Sequence, residues 1–248
     1  MFFETVDSTR MKRMEAMLKV LAAHFRGPFR VLELGTGPGP LTVQILRRFP
    51  GSTVVAVDTD PVLLHVGRKA LHRFRRRITW VLADIRKEPW PSVLPRQRFD
   101  VIVSSLALHW LEEDEIRILY RAVGRLLRPG GLVVNGDFIP SGRPAQGVAI
   151  RAKVSNRPRG PEREPAGVRE FKSRWKKWWG AIEREPSMKA AIRERQSRLP
   201  GRIPPRRTTG PRIPVSLESH ERALRDAEFG ETLVTWQDRS FRVLVARR

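Results

Sequence analysis

Residues 31 to 42 read VLELGTGPGPLT, an apolar run that stops at three glycines in alternate positions. Val31, Leu32 and Leu34 make a segment short enough for a buried parallel strand. Gly35, Gly37 and Gly39 then let the chain turn sharply and let a ligand approach the backbone, while Leu41, Val43, Ile45 and Leu46 resume at helical spacing. The stretch therefore predicts strand, glycine loop and helix N-terminus. Such a turn aims free backbone N–H groups and the positive end of a helix into the crevice at the carboxyl edge of a parallel sheet. A nucleotide-like ligand fits there, although tight strand-to-helix turns also occur without one.

Two later acids narrow the reading. TVVAVD ends in Asp58, about 20 residues beyond the loop, where a carboxylate can take both hydroxyls of a ribose. ITWVLAD ends in Asp84. The glycines are spaced GxGxG after Glu33, whereas the dinucleotide fingerprint is GxGxxG, so a hydride-transferring enzyme fits less well.

With these residues in place the chain resembles the class I S-adenosylmethionine-dependent methyltransferases. LELGTGPG is similar to their first motif, VVAVDTD to the acidic strand end, LADI to the adenine-contact segment, FDVIVSSLALHWL to the fourth strand and its active-site edge, and LLRPGGLVVNGD to the turn into the fifth strand. The resemblance covers residues 29 to 137. It implies a Rossmann-like doubly wound sheet of seven strands in the order 3-2-1-4-5-7-6, strand seven antiparallel, and S-adenosyl-L-methionine as cofactor. Gly35, Gly37 and Gly39 would line that cofactor, Asp58 would hold its ribose, and Asp84 with the Ile85 backbone would hold its adenine. Glu33 would support the loop and the methionine end. The same resemblance adds Thr36, Thr59 and Ser104 to the cofactor site.

At 248 residues the chain has room for one α/β domain with an insertion, and we read residues 1–248 as a single domain. No stretch approaches the roughly 20 apolar residues of a membrane span, and the first ten residues lack a secretory signal pattern. A soluble, cytoplasmic protein is expected. The absence of cysteine excludes disulfides, zinc-thiolate sites and a cysteine nucleophile. No HExxH pair or EF-hand loop occurs, so no metal is expected.

The formal charge of +22 is concentrated. Residues 141 to 214 hold 20 Lys and Arg against 6 Asp and Glu, a net +14, together with half of the chain's 20 prolines. A basic segment of this kind can bind RNA or acidic substrates through phosphate contacts. Arg47, Arg48, Arg73, Arg75, Arg76 and Arg77 lie far from it, so a generally arginine-rich composition is the preferred explanation of the charge.

Residues 8 to 26 predict an N-terminal helix that Ser8 can cap, with Met14, Met17, Leu18, Leu21 and Phe25 on one face and Gly27-Pro28 ending it. Three strand-helix units follow, the helix after Asp58 starting at Asp60-Pro61. KEPWPSVLPRQR is too proline-rich for a helix of any length. Glu112 to Leu127 predict a helix, and RPGG a turn into strand five. ETLVTWQ and SFRVLVA are separated by only a few residues and must form an antiparallel hairpin. Within the basic insertion two helices are expected. One spans Val168 to Ile182 with Phe171, Trp175, Trp178, Trp179 and Ile182 on a broad face, and the other is marked by Met188, Ala191, Ile192 and Leu199.

Methyl transfer from a sulfonium is an in-line displacement, so the protein chiefly aligns the acceptor and excludes water. His109, just past strand four, is the best placed general base where the acceptor carries a proton, and otherwise shapes the pocket wall. His24 and His220 have no supporting context, and His65 and His72 read as surface or edge residues. Trp110, Trp175 and Trp178 are candidates for the acceptor pocket and a lid above it. The segment after strand four, SSLALHW, lacks the Asn/Asp-Pro-Pro-aromatic pattern of enzymes that methylate exocyclic amines of bases. That segment and the Trp-bearing insertion resemble those of small-molecule methyltransferases, which implies a small-molecule acceptor with an O, N or C nucleophile. An RNA-modifying enzyme that docks through residues 141–214, and a cofactor-binding module without turnover, remain as alternatives.

Overall fold

A computed structural model of the chain describes residues 9–87, 89–142, 166–199 and 214–248. Seven strands form one sheet: β1 (Arg30–Leu34), β2 (Thr53–Asp58), β3 (Ile78–Leu82), β4 (Phe99–Ser105), β5 (Leu127–Phe138), β6 (Thr232–Asp238) and β7 (Phe241–Arg247). Their spatial order is β3-β2-β1-β4-β5-β7-β6, parallel except that β7 runs antiparallel to both of its neighbours. This is the fold class and strand order expected from the sequence.

Alternation along the strands sorts the core into two layers. Leu32, Leu34, Val55, Val57, Ile102, Val133 and Leu244 face α4 (Glu113–Leu126) and α7 (Leu217–Asp226). Val31, Val54, Ala56, Val101, Val103, Val134 and Val245 face α1 (Arg10–His24) and α2 (Pro40–Arg48). Because β1 and β4 are neighbours whose following helices lie on opposite faces, a crevice opens at their carboxyl ends. The glycine loop sits at that edge.

Helix boundaries follow local chemistry. In α3 (Pro61–Ala70) Asp60 accepts from Val62 N at 2.9 Å with proline in the first turn, as expected. A reciprocal capping box of Glu112 and Glu115 starts α4. The N-terminal helix stops at His24, short of Gly27-Pro28, because Phe25 is already extended and its ring stacks on Phe29 at 4.4 Å. Ser8, the expected cap, lies outside the described residues. RPGG is part of β5 itself: a register shift opposite Phe99 and Val101, with Gly130 at φ +76°, absorbs the turn inside the pairing. Among the described residues of the proline-rich stretch after Asp84, the helical structure is a short 3-10 turn, Trp90–Val93.

The described part of the basic insertion forms α5 (Ala166–Arg184) and α6 (Lys189–Arg198), joined by a 3-10 turn at Pro186–Met188. Trp179, Met188 and Ala191 pack with Trp175, Trp178 and Ile182 against Val62 and Val66 of α3. The side chain of Phe171 lies outside the described residues. Among the described residues no helix is long and apolar enough to cross a membrane.

Candidate active site

The loop after β1 keeps its glycines for different reasons. A Cβ on Gly35 would fall 2.2 Å from the Cβ of Ala107, so the loop and the segment after β4 can touch only without a side chain there. Gly37 has φ +57° and nothing within 4 Å of where its Cβ would be, so it borders open space in a conformation that L side chains avoid. Thr36 is buried and shares a hydroxyl contact of 2.9 Å with Thr42, whose Oγ1 donates to Glu33 Oε2 at 2.5 Å. Glu33 is thus a buried brace between β1 and α2. Burial pushes its carboxyl up to about 7, against the hydroxyl donors of Thr42 and Thr36.

Asp58 closes the loop from the β2 side. Its Oδ2 accepts from Gly37 N at 2.7 Å and its Oδ1 from Asp60 N at 2.9 Å, while burial pushes its carboxyl up to about 6 against these donors. Thr59 and Asp84 line a cavity of about 460 Å³ beside it. Asp84 is held by Arg86 through contacts of 2.7 and 2.9 Å. Burial works to raise its carboxyl, but this guanidinium and the Arg86 N–H hold it below the usual range. Ile85 packs against the main core layer. Ser104 spends its hydroxyl within the sheet, donating to Leu34 O at 3.0 Å from a buried position.

The edge of β4 carries the second half of the site. Leu106 adopts φ 55°, which turns the chain out of the strand and into a 3-10 turn at Leu108–Trp110. His109 is thereby placed over the end of β5. Its Nδ1 lies 2.7 Å from Asp137 Oδ1, and its backbone N donates to Asp137 Oδ2 at 3.1 Å. Asp137 is 1% exposed and His109 25%. The carboxylate selects the tautomer protonated on Nδ1, which leaves Nε2 with a free lone pair. Trp110 is exposed, with its ring 5.1 Å from that of His109.

Of the residues expected at the site, the structure gathers Glu33, Gly35, Thr36, Gly37, Gly39, Asp58 and Thr59 at one end of the crevice and His109 and Trp110 at another. Trp175 and Trp178 form a separate cluster on α3. Sequence reasoning missed Asp137 as a partner of His109, since 28 residues separate them and only strand pairing brings them together. It also missed His220, which is buried with its Nδ1 2.8 Å from the Tyr120 hydroxyl. Among the described residues no cluster of His, Asp and Glu could hold a metal ion.

The chain is similar to known methyltransferases in sequence and in fold. Residues 31–131 match the family model described as a methyltransferase domain. A malonyl-[acyl-carrier protein] O-methyltransferase of Paenibacillus sp. is 30% identical over 142 residues, 54% of this chain and 49% of that protein. A trans-aconitate 2-methyltransferase of Methylobacterium radiotolerans is 36% identical over 106 residues, 43% of this chain and 36% of that protein. The chain thus spans about half the length, or less, of these curated relatives. The structure of magnesium protoporphyrin IX methyltransferase from Synechocystis, with bound S-adenosylhomocysteine, superposes with a TM-score of 0.58 at 13% identity, covering 99% of this chain and 86% of that one. An O-methyltransferase family protein from Burkholderia thailandensis gives 0.60 at 16% identity, covering 98% and 57%. At such identities the likeness to solved structures is one of fold.

Proposed function

We infer the activity from membership: through residues 31–131 the chain belongs to the class I S-adenosylmethionine-dependent methyltransferases, and we propose that it methylates a small-molecule acceptor. The observation that carries this reading is the carboxylate of Asp58 at the mouth of the glycine loop. Its two oxygens accept the backbone N–H groups of Gly37 and Asp60, and the Thr59 N–H also acts on it; the carboxylate is still partly exposed and keeps acceptor capacity for the vicinal hydroxyls of a ribose. Open space beside Gly37 and the cavity at Thr59 and Asp84 suit the rest of a nucleoside. The cofactor supplies, when bound, a methyl group on an electrophilic sulfonium.

The chain's own residues then do the following work. Glu33, Thr36 and Thr42 fix the loop, and Gly35 and Gly37 keep its backbone open. Asp58 holds the ribose, with Thr59, Asp84 and Ile85 on the adenine side. Asp137 orients His109, and His109 Nε2 removes a proton from acceptors that carry one. An acceptor that arrives as a carboxylate needs no such step, and for it His109 and Trp110 shape the wall.

The test has two stages. S-adenosylhomocysteine should raise the melting temperature and bind in calorimetry, by linkage to the folded state. Labelled S-adenosylmethionine should then transfer its methyl group in a screen across carboxylic acids, phenols, amines and RNA. No binding by either method sinks the reading. Transfer to RNA alone, with affinity falling steeply with salt, replaces it with the RNA-modifying alternative.

A further inference from the structure

We propose that the last turn of α6, through Ser197 and Arg198, forms the outer wall of the nucleoside end of the cofactor site, with Arg195 as the positioning residue that holds it there. The inference rests on the proposed cofactor reading and adds to it a part of the chain that the glycine-loop motifs do not contain.

The cavity beside Asp58 has walls from two sources. Thr59, Leu82 and Asp84 come from the ends of β2 and β3, whereas Ser197 and Arg198 come from the insertion, more than a hundred residues later. Arg195 Nε donates to Asp60 Oδ2 at 2.6 Å, with the two side chains only 7% and 10% exposed. A buried charge pair of this kind is costly to break, because removing one partner strands the other out of water. The Arg195 guanidinium also lies over the Trp179 ring, 5.0 Å from its centroid. Met188 and Ala191 seat the same unit on Val62.

Asp60 connects this anchor to the cofactor loop. Its Oδ1 caps α3 through Val62 N, its Oδ2 meets Arg195, and its backbone N donates to Asp58 Oδ1 at 2.9 Å. The carboxylate that should take the ribose and the arginine that holds α6 are therefore fixed by the same residue. Arg198 stands about one helical turn beyond Arg195, exposed at the rim and paired with Glu194 at 3.0 Å, so the face of its guanidinium plane can cover a purine ring. The aromatic face of α5 serves to seat this wall on α3. The insertion helices then act on the cofactor side of the crevice, where the sequence suggested a lid over the acceptor.

The experiment is calorimetry with two probes, S-adenosylhomocysteine and adenosine, on the full chain and on Arg198→Ala, Ser197→Ala and Arg195→Met. Arg198→Ala and Ser197→Ala alter side chains outside the core and should leave the melting temperature unchanged. Their double variant should weaken both probes by a common factor of roughly 3 to 30, since the side chains removed face the nucleoside that the probes share. Arg195→Met should weaken both probes similarly and lower the melting temperature. Unchanged affinity of the Arg198→Ala, Ser197→Ala double variant for both probes overturns the inference while the cofactor reading stands. Failure of the parent chain to bind S-adenosylhomocysteine overturns the cofactor reading and this inference with it.

Discussion

His109 Nδ1 and Asp137 Oδ1 are 2.7 Å apart at the carboxyl ends of two adjacent strands, and the same carboxylate also accepts the His109 backbone N–H. One buried acid therefore fixes both the ring and the peptide that carries it. The arrangement is what a general base needs: a defined tautomer, an oriented ring and a free Nε2.

His109→Gln should lower turnover by about 10² to 10⁴, the usual contribution of a general base, for an acceptor that must lose a proton. Asp137→Asn should lower kcat and leave cofactor affinity unchanged, because it disturbs the tautomer and not the glycine loop. Steady-state kinetics with S-adenosylhomocysteine calorimetry checks both. Full turnover in His109→Gln places the acceptor among those that arrive ionised.

Gly37→Ala is the sharpest test of the loop. The new methyl group meets no protein atom within 4 Å, so any cost to folding comes from φ +57°, about 1 to 2 kcal/mol. Its effect on S-adenosylhomocysteine binding should exceed that of a remote surface change with the same loss of melting temperature. Equal affinity of variant and parent would remove Gly37 from the site.

Glu33 makes the protein's stability depend on pH in a stated direction. Its folded-state value, about 7, lies above the ordinary 4.5, so between those values the folded chain holds a proton that the unfolded chain has released. The stabilisation is complete below about pH 4.5 and is lost as pH rises through 7, by about 3 kcal/mol in all. Asp58, pushed up to about 6, acts with the same sign. Glu33→Gln should therefore gain melting temperature relative to the parent as pH rises from 4.5 to 7.5. A constant difference across that range contradicts the assignment.

Much of this was legible in the sequence because it is local. Val31 to Leu46 encode strand, turn and helix within one short stretch, and Asp60-Pro61 announce the start of α3 by their own chemistry. The sheet order was readable through resemblance, since apolar alternation gives the strands and not their neighbours. Asp137, Arg195 and His220 were illegible for a common reason: each acquires its role from a partner on a distant element. Arg195 meets Asp60 across 135 residues, and His220 meets Tyr120 across 100. Within α6 Arg195 is one basic residue among several, and nothing local marks it for burial.

The Tyr120–His220 pair couples stability to pH in the opposite sense to Glu33. α4 and α7 pack side by side, and at their contact the Tyr120 hydroxyl lies 2.8 Å from His220 Nδ1. Burial lowers the His220 ring to about 4, although the charges of Asp137 and Glu113 pull the other way, and burial raises the Tyr120 hydroxyl well above its ordinary value. Tyrosine is then the donor and neutral histidine the acceptor. The histidine value lies below the ordinary 6.5, so in that interval the unfolded chain takes up a proton that the folded chain refuses. The stabilisation is complete above about pH 6.5 and is lost as pH falls through 4, again by about 3 kcal/mol, opposite in sign to the effect of Glu33. Tyr120→Phe should cost about 1 to 3 kcal/mol at neutral pH, because it leaves a buried acceptor without its donor. Replacing both partners, Tyr120→Phe with His220→Leu, should cost less than the two single changes added together, since neither polar group then remains to be satisfied. Denaturant titrations of the four chains at pH 7.5 and pH 5 measure the coupling and its acid sensitivity together. If His220→Leu loses as much stability on acidification as the parent, the histidine is not the group that titrates.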